Sequence, residues 1–369
     1  MKKVIAAMDS FKGSLTSREA NAAVVAALDG KAEVRTVAMS DGGEGMLDAV
    51  ADATGAGMEE VSIHDLMMRR RTARYAVVPD GTVVIEVAEA VGLTLLKPEE
   101  RNPMRATSYG VGELIAAAVR RGGRRFVVGL GGSGTSDAGI GMLRALVDSF
   151  GKRQPSGAVD GGIDAVLRGS ALAECSFTIA TDVGNPLLGA DGAAAVFAPQ
   201  KGATPEMVEQ LEERARRFAD FSARHYGRDL SAEPGAGAAG GLGYAFLQYL
   251  GARRESGAGL MLRLARFDAM LRDADLVITG EGSADRQTLM GKMPACVLEA
   301  ARRRGVPVWL VAGRVADRGA LLQAGFGRVE QITPQGMPLS EAMRKEVARE
   351  NLSNHLHITF SALPSALNM

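Results

Sequence analysis

The chain has 369 residues, 46 of them glycine, and its 43 Lys and Arg are balanced by 43 Asp and Glu. The glycines follow no three-residue period and cluster between apolar runs, which excludes collagen and argues against low-complexity disorder. Zero net charge argues against a dedicated nucleic-acid binder, and two cysteines argue against a disulfide framework.

Residues 3–8 read as a buried first strand, whose apolar run breaks at Asp9, too early for a signal peptide. Residues 17–28 form an amphipathic helical pattern with Ser17 as N-cap. A second strand follows at 33–38 and a second helix at 45–54, closed by Gly55. This βαβα opening predicts a parallel sheet with helices on its faces. From Arg70 the texture changes. Alternating runs at 71–78 and 82–87 flank Asp80-Gly81, the signature of a hairpin. A hairpin is foreign to a doubly wound pattern and is assigned to a second subdomain.

The α/β rhythm resumes with a helix at 110–121, a strand at 125–130 and a helix at 141–150. Further strands are expected at 176–180, 276–279 and 306–312. Helices are expected at 204–225, with Pro205 in the first turn, and at 294–304. Residues 351–369 are weakly patterned. The expected fold class is α/β: a discontinuous parallel-sheet domain over 1–65, 105–180 and 276–369, interrupted by a smaller mixed α/β domain over 66–104 and 181–275. No apolar stretch approaches the length of a membrane span, and a cytoplasmic location is expected.

In α/β sheets ligands bind at the carboxyl ends of the strands. The loops at those ends share a composition of Gly, Ser, Thr, Asp, Glu and Lys. Asp9-Ser-Phe-Lys-Gly-Ser14 follows the first strand and Ser40-Asp-Gly-Gly-Glu-Gly45 the second. Acids spaced by glycines suit close approach of backbone to a ligand or Mg²⁺, although a tight turn with an Asp cap explains either loop alone equally well. Gly129-Leu-Gly-Gly-Ser-Gly-Thr-Ser-Asp137 fits G-x-G-x-x-G between strand and helix, which keeps a dinucleotide dehydrogenase in play. Its hydroxyls and carboxylate exceed what a dinucleotide turn requires, and it reads as a phosphate site of unspecified type. Asp182, just after a strand, is placed to act as a base toward a hydroxyl. Gln200-Lys201-Gly202 precedes a helix. The run Pro234-Gly-Ala-Gly-Ala-Ala-Gly-Gly-Leu-Gly243 repeats G-x-G-x-x-G with no strand before it, which suggests small-residue packing. Thr279-Gly-Glu-Gly-Ser-Ala-Asp-Arg-Gln-Thr288, with Lys292 close behind, carries too many polar groups for a mere turn.

No P-loop, protein-kinase, zinc-protease or nucleophile-elbow motif occurs, and the four histidines lie outside these loops. Carboxylates and lysines must therefore carry the chemistry. Acids, lysines, hydroxyls and dense glycine point to phosphoryl transfer, which needs positioning and charge neutralisation above all.

Seven of these blocks, in order from residue 1 to about 336, resemble the bacterial glycerate kinase type-1 family. Three positions depart from its usual pattern: Ser136 stands for Asn, Ala138 for Gly, and Met8 for Pro. The resemblance implies two α/β domains, one Rossmann- or flavodoxin-like, with the active site in the cleft between them. It implies ATP- and Mg²⁺-dependent phosphorylation of D-glycerate, usually to 2-phosphoglycerate, by a monomer or homodimer without nucleic-acid or membrane partners. The roles expected on this basis are as follows. Asp182, Lys12 and Asp9 are catalytic. Ser10, Ser14, Asp41, Arg71, Asn185 and Lys201 bind substrate. Gly131, Gly132, Ser133, Thr135 and Asp137 bind nucleotide, as do Gly280, Gly282, Thr288 and Lys292. Glu44, Glu281 and Asp285 bind metal. The rival expectations are an NAD(P)-dependent dehydrogenase of a small hydroxy acid and a non-catalytic ligand-binding regulator.

Overall fold

The computed structural model describes residues 2–11, 13–40, 42–43, 45–151 and 162–362. The strands, in chain order, are β1 (Lys2–Met8), β2 (Ala32–Thr36), β3 (Gly57–His64), β4 (Arg70–Val77), β5 (Thr82–Glu86), β6 (Arg125–Gly129), β7 (Ser176–Ala180), β8 (Arg253–Glu255), β9 (Leu276–Ala284), β10 (Val308–Val315) and β11 (Arg328–Gln331). The chain divides into two compact units. One comprises Met1–Asp41, Asp48–Thr54 and Ala258–Met369, and the other comprises Gly42–Leu47 and Gly55–Gly257.

The first unit holds a five-stranded, wholly parallel sheet in the order β11-β10-β9-β1-β2. Renumbered within the unit this is 2-1-3-4-5, the flavodoxin-like order, and its switch point lies between β1 and β9. The central strand β1 is buried from Val4 onward, which is why it reads as an unbroken apolar run. Its side chains join Leu276, Ile278 and Val311 in one core beneath two helices. The Ser17–Ala27 helix supplies Ala20 and Val24. The Lys345–Ser361 helix supplies Leu352, Leu356 and Phe360 from the segment whose pattern was weak. Each such Leu or Phe, fully buried, stabilises by about 1.5–3 kcal/mol. The N-cap of the first helix is Thr16, not Ser17. Thr16 and Glu19 form a reciprocal capping box. Ser17 instead donates from Oγ to Met8 O (2.6 Å) and accepts from Met39 N (2.8 Å), tying together the segments that follow β1 and β2.

The second unit holds a six-stranded mixed sheet in the order β3-β4-β5-β6-β7-β8. Strands β3, β4 and β5 are antiparallel, with Asp80-Gly81 in the turn of the expected hairpin, and β5 to β8 run parallel. Strands β6 and β7 were expected in the first domain because their local α/β rhythm matches it. Their ladders run to β5 and β8, and residues 105–180 belong with the second unit. Alternate residues of these strands face a core that includes Ile85, Phe126, Val128, Phe177, Ile179 and Phe246, in which Phe126 stacks on Phe177 at 4.9 Å. Among the described residues no helix is long and apolar enough to cross a membrane.

Candidate active site

In the first unit the functional side chains gather where a flavodoxin-like sheet places its ligand. Asp9 leaves the end of β1, and its N–H donates to Gly280 O across the switch point (2.9 Å). Asp9 is only 9% exposed, and its carboxylate accepts from Ser10 N at 2.7 Å. The chain then folds back on itself, with Ser14 N and Leu15 N both donating to Phe11 O (2.8 and 3.1 Å). Ser14 Oγ is buried and has no hydrogen-bond partner among the described residues. Lys12, Asp41 and Glu44 lie outside the described residues.

The acidic segment near residue 280 is not a loop after its strand, because β9 continues to Ala284 and carries Glu281 within the sheet. Gly280 is needed there because a Cβ would sit 2.1 Å from Val311 O. Gly282 faces Gly313, whose own Cβ would come within 2.6 Å of Gly282 O. Glu281 is 7% exposed. Its Oε1 accepts from Thr288 Oγ1 at 2.6 Å, and its Oε2 pairs with Lys292 Nζ at 3.4 Å. Asp285 caps the short Arg286–Leu289 turn, accepting from Gln287 N at 2.7 Å, so this carboxylate has a structural task of its own. Lys292 remains partly exposed beside the buried carboxylate.

In the second unit the loop after β6 is held on several sides. Leu93 N donates to Gly132 O (2.8 Å) and Gly134 N to Val91 O (2.7 Å). Gly129 and Gly131 allow the loop to cross the 42–43 backbone: a Cβ on Gly131 would lie 2.3 Å from Gly43 Cα. These two G-x-G-x-x-G glycines are accounted for by self-contact, which removes the specific support for a dinucleotide turn. Asp137, expected on the nucleotide, is buried and spends its carboxylate on the protein. Oδ2 accepts from Ser108 N (2.7 Å), Ser108 Oγ (2.9 Å) and Gly141 N (3.1 Å), and Oδ1 accepts from Gly139 N (3.1 Å). Ala138 sits at φ +55°, a left-handed conformation that favours glycine, which is what the resembled family usually carries there.

Lys201 was expected to reach the substrate. It is 2% exposed, and its ammonium donates to Thr135 O (2.6 Å) and Ser133 Oγ (3.1 Å). Burial lowers its pKa from the ordinary lysine value to about 7, opposed by the Asp137 carboxylate. The hydroxyls of Thr135 and Ser136 are buried without partners among the described residues. Asp182 follows β7, is exposed, and accepts from Gly257 N at 3.0 Å. Asn185 Nδ2 donates to Asp191 O (2.8 Å), which closes the loop over residues 185–191. Arg71 stands on β4 with its Nε donating to Thr72 O (3.2 Å), and among the described residues no hydrogen bond joins it to these loops. The sequence reasoning missed Glu86, a buried acid ending β5. It accepts from Gly45 N and Leu47 N (both 3.1 Å) and so holds the backbone at residues 45–47. An acid closing the apolar run Thr82-Val-Val-Ile-Glu86 was its only signal.

Orphaned hydroxyls at Ser14 in the first unit and at Thr135 and Ser136 in the second, and in the first unit a lysine beside a buried carboxylate, suit phosphate oxygens. Among the described residues no three His, Cys, Asp or Glu converge as a metal cage. Glu281 is the buried carboxylate there that fits Mg²⁺, an ion usually held by one or two carboxylates plus substrate phosphates. The model of the glycerate kinase family matches residues 4–362. A glycerate kinase of Bacillus subtilis (strain 168) is 40% identical over 353 residues, 92% of each chain. A glycerate 2-kinase of Escherichia coli (strain K12) is 35% identical over 358 residues, 93% of each chain. The crystal structure of a protein assigned as glycerate kinase 2 from Salmonella typhimurium LT2 is similar over 100% of both chains, at 33% identity and a TM-score of 0.81.

Proposed function

The chain belongs to the glycerate kinase family, and from this premise we propose that it transfers the γ-phosphoryl group of ATP to the 2-hydroxyl of D-glycerate, giving 2-phosphoglycerate and ADP. The observation that carries this reading is the polar cluster at the flavodoxin-like switch point, where Asp9, Glu281, Thr288 and Lys292 are ordered at the ends of β1 and β9. In the transfer the substrate oxygen bonds to the γ-phosphorus as the bond from that phosphorus to ADP breaks. Asp182 takes the hydroxyl proton. Lys292, with Lys12, offsets phosphate charge, and the 131–135 backbone with its hydroxyls receives phosphate oxygens. Mg²⁺ carried with the nucleotide supplies charge neutralisation, and Glu281, together with Glu44, would hold it. Asp9, Ser10, Ser14 and Asp41 are assigned to the substrate side.

The test is incubation with ATP, Mg²⁺ and D-glycerate, followed by phosphorus NMR of the product. The expected product is 2-phosphoglycerate. Appearance of 3-phosphoglycerate overturns the position of transfer, and absence of any phosphoglycerate overturns the activity.

A further inference from the structure

We propose that Lys201 is a positioning residue, one that clamps the Gly131–Asp137 loop from its buried side and so sets the shape in which the loop receives phosphate. The inference rests on the reading of that loop as a nucleotide-phosphate site. It begins from an energetic anomaly. Among the described residues Lys201 makes no ion pair, yet its ammonium is as buried as a core side chain. Burying a cation with no carboxylate bonded to it is costly, the Asp137 charge offsets that cost only in part, and an apolar side chain of similar length would avoid it. What the ammonium gains is two hydrogen bonds, to Ser133 Oγ and Thr135 O, both within the loop.

The two contacts bracket Gly134, so a single side chain spans the loop's turn. Gly202, at φ +92°, packs where a Cβ would lie 2.7 Å from Arg101 O, which fixes the backbone that carries the lysine. On the next residue Arg214 donates to Ser136 O at 2.8 Å. Two cations thus occupy successive backbone carbonyls, while the hydroxyls of Thr135 and Ser136 are left without protein partners. Carbonyls held by the protein and hydroxyls left over are what a loop needs if its hydroxyls are to serve an anionic ligand. The depressed pKa of Lys201 agrees with this placement, since it reflects the same enclosure.

The test compares wild type with Lys201→Met, which keeps the length and removes charge and donors, and with Ser133→Ala, which removes one acceptor and leaves the lysine. Amide hydrogen exchange is read across 131–137, the KM for ATP and for D-glycerate are measured separately, and thermal stability is followed. In Lys201→Met, exchange in the loop and the KM for ATP should each rise by about tenfold or more, with the KM for glycerate within about twofold and Tm unchanged or higher. Ser133→Ala should shift exchange in the same direction by less. Equal change in both KM values with a fall in Tm, or unchanged loop exchange in either variant, overturns the proposal. If Lys201→Met does not fold, unchanged exchange in Ser133→Ala overturns it and faster exchange supports it. Should wild type lack glycerate phosphorylation, the functional reading falls while the exchange data still decide the clamp.

Discussion

Thr288 Oγ1 donates to Glu281 Oε1 at 2.6 Å while accepting from Asp285 N at 3.0 Å, so one buried hydroxyl ties the polar turn to the strand that carries the acid. Replacing it with an isosteric methyl keeps the packing and removes both bonds. Thr288→Val should destabilise the protein by about 1–3 kcal/mol, because a buried carboxylate oxygen and an N–H lose their partner. It should also lower kcat/KM by about tenfold or more as Glu281 loses its fixed orientation. Urea unfolding and steady-state kinetics measure the two effects separately.

Asp182→Asn separates chemistry from folding. The amide oxygen of Asn can still accept from Gly257 N, so stability should change by less than about 1 kcal/mol. With Asp182 as the proposed base, kcat should fall by about 10²-fold or more. Wild-type turnover in a folded Asp182→Asn protein removes Asp182 from the proton transfer.

Asp137 should behave as a structural residue. Its carboxylate accepts four bonds of 3.1 Å or shorter from Ser108, Gly139 and Gly141. Asp137→Asn turns an acceptor into a donor facing N–H groups, and a loss of about 2–4 kcal/mol is expected. The KM for ATP at a temperature where the variant is folded should change far less than stability does. A variant of wild-type stability with a weakened KM for ATP would restore Asp137 to the nucleotide.

Lys201 also gives stability a pH dependence of definite sign. Its pKa is about 7 in the folded protein, and unfolded lysine titrates near about 10.4. Between these values the unfolded chain binds more protons, so stability should rise with pH. The slope from this one group is at most about 1.4 kcal/mol per pH unit. Tyr226 and Tyr244, whose pKa values burial raises, act in the opposite sense only above about pH 10. Urea unfolding at about pH 6.5 and about pH 8.5 should show the rise in wild type and a flatter profile in Lys201→Met.

Strands β1, β7 and the β4–β5 hairpin were legible because burial imposes an uninterrupted run or a strict alternation on them. The exposed edge β3 and the three-residue β8 were not, since neither needs an apolar code. The Lys345–Ser361 helix buries only Ala348, Leu352, Leu356 and Phe360, a stripe too narrow to stand out among polar neighbours. Which sheet claims β6 and β7 depends on ladders between residues about 40 or more apart in sequence, and local pattern carries no trace of that. At the candidate site, residue types singled out segments rich in buried acids and hydroxyls. They did not distinguish Asp137, which is consumed by the fold, from Glu281, which is held beside a partly exposed lysine.

The glycine run that overlaps the start of the Ala238–Leu250 helix, non-helical at residues 239–241, ends on the same loop. Gly240, at φ +66°, lies where a Cβ would come 1.9 Å from Thr135 O, and its own carbonyl accepts from Ala138 N at 3.0 Å. The last glycine of the second G-x-G-x-x-G stretch therefore packs against residues 135–138, just past the first stretch, whose own Gly129 and Gly131 press on residues 42–43. A peptide carbonyl and a phosphate oxygen make the same demand on an approaching backbone, a separation that no Cβ permits. A glycine signature of this kind therefore records proximity without recording to what, and here part of it is written by the protein pressing against itself.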